Sequence, residues 1–435
     1  MARRRLRSVN PVAAPEPADA RSEPAPTPGP TPVRHGAGRG NGRGTALAAA
    51  WFIALAAVLS AWVWAADAFF GHSKEHLHAS FPGSSWLTGW VQFDAGWYRD
   101  IAEHGYRLIG GEQSNVAFFP LYPLLIRALH QTFGSSFGAG IAITVTCGLL
   151  AVMLFWRWCG ERLDPPAQKL ALALLLLYPY AWYLCGAVYA DALFLATTLA
   201  AFTALERDRT LLAGIFGALA AATRPVGPAV VIALVVRQIE RRGALRTTTR
   251  TWRGRTWELP VGIDWRKLQP SDAFVLLSAA GFCVYSGYLW WRWGDPLLFS
   301  TVQRYWKQPS GPVTWLKLHL AGIIVLKFKE RWLYIIGCLV QGALAMGSLL
   351  LVPRIRRSFG WGYATLVAVS LAIPVLGSKD FQGLGRYLLA AFPLFAWGGL
   401  WLAGKPVRTR RCVLIACGLL LLAWSHLYGR GYYVA

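Results

Sequence analysis

A few short stretches of this chain concentrate side chains that could do chemistry. The longest is Phe93-Asp94-Ala95-Gly96-Trp97-Tyr98-Arg99-Asp100-Ile101-Ala102-Glu103-His104-Gly105-Tyr106. It places Asp94 and Asp100 on opposite flanks of an apolar stripe made by Trp86, Trp90, Phe93, Trp97 and Ile101 at helical spacing. Partial burial raises a carboxylate's pKa and suits it to general base work. Helix capping explains Asp94 without any chemistry, since Asp is favoured just before a helix starts. Spacing alone does not choose between Asp94 and Asp100. Tyr98 and His104 in the same stretch are candidate substrate contacts.

Two further groups complete the set. Asp191, in Tyr189-Ala190-Asp191, stands at the end of one apolar run, and Arg224, in Thr223-Arg224-Pro225-Val226-Gly227, stands at a break between two others. A guanidinium there suits bidentate binding of a phosphate, and a plain ion pair with Asp191 suits it equally. Ser378-Lys379-Asp380-Phe381 with Arg386-Tyr387 forms another charged segment, which on its own reads as a solvated turn. Ala117-Phe118-Phe119-Pro120-Leu121-Tyr122-Pro123 has two prolines three apart and reads as a bent entry into an apolar segment. No Walker A loop or dinucleotide fingerprint is present. The seven Cys form no C-x-x-C or metal-ligand spacing, and most lie inside apolar runs. Nothing in the sequence calls for a cofactor or a metal, although carboxylates near a phosphate would accept a divalent cation.

The elements that must position these groups are membrane spans. Of the 435 residues, 55% are hydrophobic and only 15% charged, and the apolar residues fall in runs near the length that crosses a bilayer. The 22 Trp fit a protein with two membrane–water interfaces. Eleven spans are predicted, at 46–66, 138–156, 170–185, 187–205, 211–223, 226–236, 272–293, 332–352, 359–377, 387–404 and 412–428. The fold class expected is therefore an all-α, polytopic membrane bundle, with an interfacial helix in the first outer loop. Residues 1–45 hold eight Pro and eight Arg and read as a disordered basic tail preceding a domain at 46–435.

A formal charge of +23 would suggest nucleic acid in a soluble protein. Here the basic residues cluster in short segments between apolar runs. With the tail in the cytoplasm, 29 of the 44 Lys and Arg fall on the inner side, as the positive-inside rule requires. That orientation puts Asp94, Asp191, Arg224, Lys379 and Arg386 on the extracytoplasmic side. It also requires 211–236 to be a re-entrant or short hairpin; as one kinked span it would flip everything downstream. An outward-facing transferase without a nucleotide site must draw its activated group from a membrane-soluble donor.

Asp94–Tyr106, Ala117–Arg127, Tyr189-Ala190-Asp191 and Ala222–Gly227 resemble the PIG-V-like mannosyltransferases, relatives of the enzyme that adds the second mannose to the GPI anchor. The resemblance covers about residues 86–230. It implies a GT-C fold and a polyprenyl-phosphate sugar donor, usually mannose, used on the extracytoplasmic face. It also assigns the base role to the acidic residue of the first outer loop, here Asp94. Phe93 stands where Trp is common, and Asp191 where Glu is frequent. On this reading Asp94 deprotonates a glycan, lipid or protein acceptor and the donor is displaced with inversion. Arg224, with Lys379 or Arg386, stabilises the lipid-phosphate leaving group, and Asp191 orients sugar hydroxyls or Arg224. The alternative is a transporter or flippase of lipid-linked sugars, which would show interrupted helices in both halves; the sequence shows one interruption, at 223–227. The topology predicts that a reporter fused after residue 250 is cytoplasmic and one inserted near residue 112 extracytoplasmic. Both reporters on one side would overturn it.

Overall fold

The computed structural model describes residues 41–73, 86–252, 255–309 and 311–434. Most of the predicted basic tail, 1–40, lies outside them, as does 74–85 in the first outer loop. The last residues assigned to the tail already belong to α1 (Asn41–Phe69). The chain continues through α2 (Ala95–His104), α3 (Leu121–Phe133), α4 (Ser136–Gly160), α5 (Pro165–Leu176), α6 (Asp191–Glu206), α7 (Thr210–Ala221) and α8 (Pro228–Arg241). A 3₁₀ stretch, Pro270–Ala279, leads into α9 (Ala280–Trp293), and the short α10 (Leu298–Thr301), α11 (Pro312–Trp315) and α12 (Leu318–Leu326) follow. The last helices are α13 (Phe328–Leu350), α14 (Val352–Phe359), α15 (Trp361–Gly377), α16 (Leu384–Ala390), α17 (Pro393–Ala403) and α18 (Val407–Gly429).

The helical membrane bundle is as expected, but helix length does not reproduce eleven full spans. Among the described residues, four helical segments are long and apolar enough to cross a membrane: Gly42–Phe69, Ser136–Gly160, Pro270–Trp293 and Val407–Gly429. Two bent pairs raise the number to six if each is one span, Tyr334–Leu350 with Val352–Phe359 at 45° and Leu384–Ala390 with Pro393–Ala403 at 84°. The other predicted spans fold as α5, α6, α7, α8 and α15, of 12, 16, 12, 14 and 17 residues. At 1.5 Å per residue these reach roughly 18–26 Å, short of a hydrocarbon core of about 30 Å. The physical reasons are local. Predicted span 170–185 ends in a turn at Tyr178-Pro179, and 387–404 breaks at Ala391, whose ψ of 49° leaves helical geometry two residues before Pro393, a residue with no N–H to carry a helical hydrogen bond onward.

Residues 211–236 form an antiparallel hairpin, as the charge distribution requires. α7 starts, and α8 ends, beside the C-terminal end of α6. There Arg237 of α8 donates to Glu206 at 2.8 Å, Arg241 donates to the Leu205 carbonyl, and Arg241 lies 3.1 Å from Asp208. The tip at Thr223–Gly227 returns to the opposite end, beside Asp191. Glu206 also accepts from Tyr363 of α15 at 2.8 Å and lies 3.4 Å from Arg162, just past the end of α4. Glu240 accepts the backbone N–H groups of Trp361 and Gly362 and so caps α15 from a neighbouring helix. One ionic cluster thus ties four helices together at the end of the bundle opposite Asp191.

Two expectations need correction. The aromatic stripe at 86–101 is not one interfacial helix. Only Ala95–His104 is α-helical, Trp90 is completely buried, and Phe93 has a left-handed φ of 51° that breaks the helical register. The bundle is mostly and not wholly α-helical, since the basic segment 237–271 holds two strands. β1 (Leu245–Trp252) pairs antiparallel with β2 (Arg255–Ile263), with Thr251 opposite Thr256. β1 is rich in Thr, a residue favoured in strands, and its residues 246–251 are exposed.

Glu206→Gln would leave Arg237 and its neighbours without their shared carboxylate. We expect a stability loss of about 3 kcal/mol, the lower end for a broken buried ion pair, read by unfolding in detergent. Unchanged stability would mean that the cluster does not hold the inner end together.

Candidate active site

Asp94 occupies the position just before α2, yet its side chain makes no capping hydrogen bond to that helix. Its Oδ2 instead accepts from Arg386 of α16, 292 residues away, at 3.2 Å. The local backbone explains why. Phe93 sits at φ 51°, a conformation that costs a non-glycine residue roughly 1–3 kcal/mol. Its ring packs edge-on against Tyr433 at 5.0 Å. The Asp94 N–H is directed to the Tyr189 hydroxyl at 3.3 Å. The carboxylate is thereby turned from its own helix toward α16.

Arg386 is set from the other side by close packing. Tyr178 donates its hydroxyl to the Gly385 carbonyl at 2.8 Å, and Gln341 accepts the Gly385 N–H at 3.0 Å. A Cβ on Gly385 would lie 2.1 Å from the Tyr180 ring, so only glycine lets α16 approach so closely. The Arg386 guanidinium lies 5.4 Å above Tyr189, 5.8 Å from the Tyr387 ring and 5.9 Å from the Tyr183 ring.

Arg224 and Asp191 form a second pair, in direct hydrogen bond and almost wholly buried. Asp191 is the first residue of α6, where the helix dipole favours a negative charge. The Arg224 tip is held further by the Leu121 N–H, which donates to the Ala222 carbonyl at 2.9 Å. Tyr387 joins the two pairs, since Arg224 lies 4.4 Å above its ring. The order Asp191, Arg224, Tyr387, Arg386, Asp94 is a continuous chain of contacts. Tyr98 of α2 stands beside it, its ring 6.4 Å from Tyr189. Burial first, and the Asp94 charge next, hold the Tyr98 hydroxyl well above the usual phenol range. It is therefore a neutral hydrogen-bond donor and not a base.

Five of the seven predicted site residues, Asp94, Tyr98, Asp191, Arg224 and Arg386, come together. Lys379 lies on the loop leading into α16, its backbone fixed by Gln308 at 2.7 Å, with no side-chain contact to the Asp94–Arg386 pair among the described residues. His104 is not brought in. It ends α2, roughly 15 Å along the helix from Asp94, and lies 3.2 Å from Asp100. Asp100 is itself committed to Arg107 and to Asn115 at 2.8 Å, ties that hold the loop after α2. The sequence reading overlooked Gln92, Tyr183, Tyr428 and Tyr433. Gln92 is 1% exposed, and neither atom of its amide has a partner among the described residues. The Tyr183 hydroxyl and the Arg386 Nε are also buried without partners. No spacing signal marks these residues, because they converge from three separate segments.

No family model matches this chain. Over 152 residues it is 34% identical to GPI alpha-1,6-mannosyltransferase 2 of Mus musculus, covering 32% of this chain and 30% of that protein. The same enzyme of Rattus norvegicus is 32% identical over an equal length. The chain thus matches less than a third of the length of these curated relatives. Among solved structures, it is similar to ArnT from Cupriavidus metallidurans bound to undecaprenyl phosphate, with TM-score 0.47 and 16% identity over 85% of this chain and 64% of that one. The Archaeoglobus fulgidus oligosaccharyltransferase in the apo form gives TM-score 0.41 and 13% identity over 88% and 56%.

Arg224→Leu would strand Asp191 as a buried unpaired charge and cost about 3–5 kcal/mol. The double replacement Asp191→Leu with Arg224→Leu should recover more than half of that loss. Unfolding in detergent of these two variants and of Asp191→Leu alone measures the coupling, and simple additivity would show that the two groups do not depend on each other.

Proposed function

We propose that this chain is a membrane glycosyltransferase that moves a mannosyl residue from a polyprenyl-phosphate donor to a hydroxyl of an extracytoplasmic glycan, lipid or protein, with inversion. The observation that carries the reading is the Asp94–Arg386 pair: a carboxylate turned away from its capping position toward a guanidinium that keeps a free donor, Nε. Sequence similarity to a mannosyltransferase over 152 residues supports the choice of chemistry.

In the reaction Asp94 takes the proton of the acceptor hydroxyl. The acceptor oxygen attacks the anomeric carbon while the bond from that carbon to the phosphate oxygen breaks, and the electron pair leaves on the lipid phosphate. One displacement inverts the anomeric centre. Arg224 is committed to Asp191, so the phosphate role falls to Arg386, with Lys379 on the approach. A phosphate at Arg386 competes with Asp94 for the same guanidinium. The more of it the phosphate takes, the more basic the carboxylate becomes, so the donor itself activates the base. The unpartnered Gln92 amide and Tyr183 hydroxyl suit the neutral hydroxyls of a sugar, since a buried polar group left unpaired costs about 1–3 kcal/mol. Asp191 then acts through Arg224 as a positioning residue.

Asp94→Asn keeps an acceptor for Arg386 but cannot take a proton. Transfer from polyprenyl-phosphate mannose, with membranes of a deletion strain as acceptor, should fall about 10²–10⁴-fold at matched folded protein. Asp100→Asn should loosen the loop after α2 and cost much less turnover, and GDP-mannose should be inert as a donor. Near-wild-type turnover in Asp94→Asn would remove the base from this scheme, and direct use of GDP-mannose would remove the donor.

A further inference from the structure

A groove of about 410 Å³ runs along α6 between α4 and α7, with its basic end at the end of α6 opposite Asp191. Its floor is a run of small side chains at helical spacing, Ala196, Ala200 and Ala204, which leave room between the flanking helices. Leu150 of α4 and Leu212 of α7 form its rims and are well exposed. From Leu193 to Arg207 the floor extends roughly 21 Å, the reach of one extended acyl chain. The groove is apolar along this length and basic at one end, where Arg207 and Arg209 line it. Arg207 is half exposed and has a single ionic contact, Glu161 at 3.5 Å, a carboxylate shared with Arg162. Arg209 makes no ion pair among the described residues.

The geometry points to a binding site for one anionic phospholipid, with an acyl chain along α6 and its phosphate at Arg207 and Arg209. Charge complementarity selects the occupant: an apolar trough ending in two available guanidinium groups, at the membrane side where basic residues concentrate, matches a lipid with an anionic head. The polyprenyl donor does not fit this role. Its phosphate must reach Arg386, near the Asp191 end of α6, about 24 Å of helix away from the basic end. The lipid has a mechanical consequence. α7 is too short to span the bilayer and meets α6 along this groove. A chain wedged there fixes the hairpin whose tip carries Arg224.

The test uses the full chain purified in detergent, with palmitoyl-oleoyl phosphatidylglycerol and palmitoyl-oleoyl phosphatidylcholine as probes. Native mass spectrometry should show a single phosphatidylglycerol retained per chain, and thermal unfolding should shift upward with phosphatidylglycerol more than with phosphatidylcholine. R207Q/R209Q should weaken retention about thirtyfold, and R207K/R209K should restore most of it. Leu212→Trp, at an exposed rim where folding tolerates bulk, should lower retention by filling the groove without changing charge. Wild-type retention in R207Q/R209Q would overturn the site. Unchanged retention in Leu212→Trp would also overturn it, because the head would then bind the basic loop without the groove. Displacement of phosphatidylglycerol by polyprenyl phosphate at equal concentration would assign the groove to the donor's lipid class instead. None of these readouts depends on glycosyl transfer.

Discussion

The buried contact between Asp191 and Arg224 is the constraint on which the candidate site depends. Removing two charges from water is expensive, and their mutual attraction repays it only when the geometry is fixed. That requirement makes the pair a specifier of position. It pins the tip of a hairpin whose helices, 12 and 14 residues long, are too short to be located by the bilayer alone. The tip brings a guanidinium to one face of Tyr387, and the next residue back along α16 is Arg386. The site is therefore assembled from a salt bridge outward: α6 places Asp191, Asp191 places Arg224, and Arg224 packs on the helix that presents Arg386 to Asp94.

Much of this was legible in the sequence, for identifiable reasons. Apolar runs, Pro-marked breaks and the asymmetry of Lys and Arg are local or additive signals, and they gave the helical bundle, the hairpin at 211–236 and its orientation relative to the basic segments. The site was legible as a set of charged residues on one side. The choice between Asp94 and Asp100 was not, because both flank the same aromatic residues and both are plausible near a helix start. What separates them is long-range. Asp100 is consumed by partners within 15 residues of it, whereas Asp94 reaches a partner 292 residues away. Single-residue spacing carries no trace of that. Gln92, Tyr183 and Tyr433 were hidden for the same reason: each is ordinary in its own segment and becomes notable only where segments meet.

Helix length departs from the hydropathy runs for a different reason. A hydropathy run records which residues avoid water and does not record whether their backbone stays helical. Tyr178-Pro179 and Ala391-Phe392-Pro393 keep the apolar character of their segments while breaking the helix. Such breaks expose backbone groups that lipid cannot satisfy, so they must be buried in protein. The break at Tyr178-Pro179 is used in that way: the Tyr178 hydroxyl satisfies the Gly385 carbonyl and fixes the helix carrying Arg386. The feature that shortens the helix is the one that holds the candidate site.

The two ion pairs differ in a way that divides structure from chemistry. In the Asp191–Arg224 pair the side chains are 2% and 7% exposed, while in the Asp94–Arg386 pair they are 17% and 15% exposed. A pair sealed from solvent cannot exchange partners without stranding a buried charge, so it holds one arrangement. A pair at the edge of burial, with an unused donor on its arginine and a strained residue behind its carboxylate, can hand its guanidinium to an incoming anion at much lower cost. The protein thus keeps its rigid contact inside and its exchangeable contact at the margin, with Tyr387 between them. The proposed transfer uses that difference: it asks Asp94, at the exchangeable contact, to be released by an arriving phosphate, and asks nothing of the sealed pair but position.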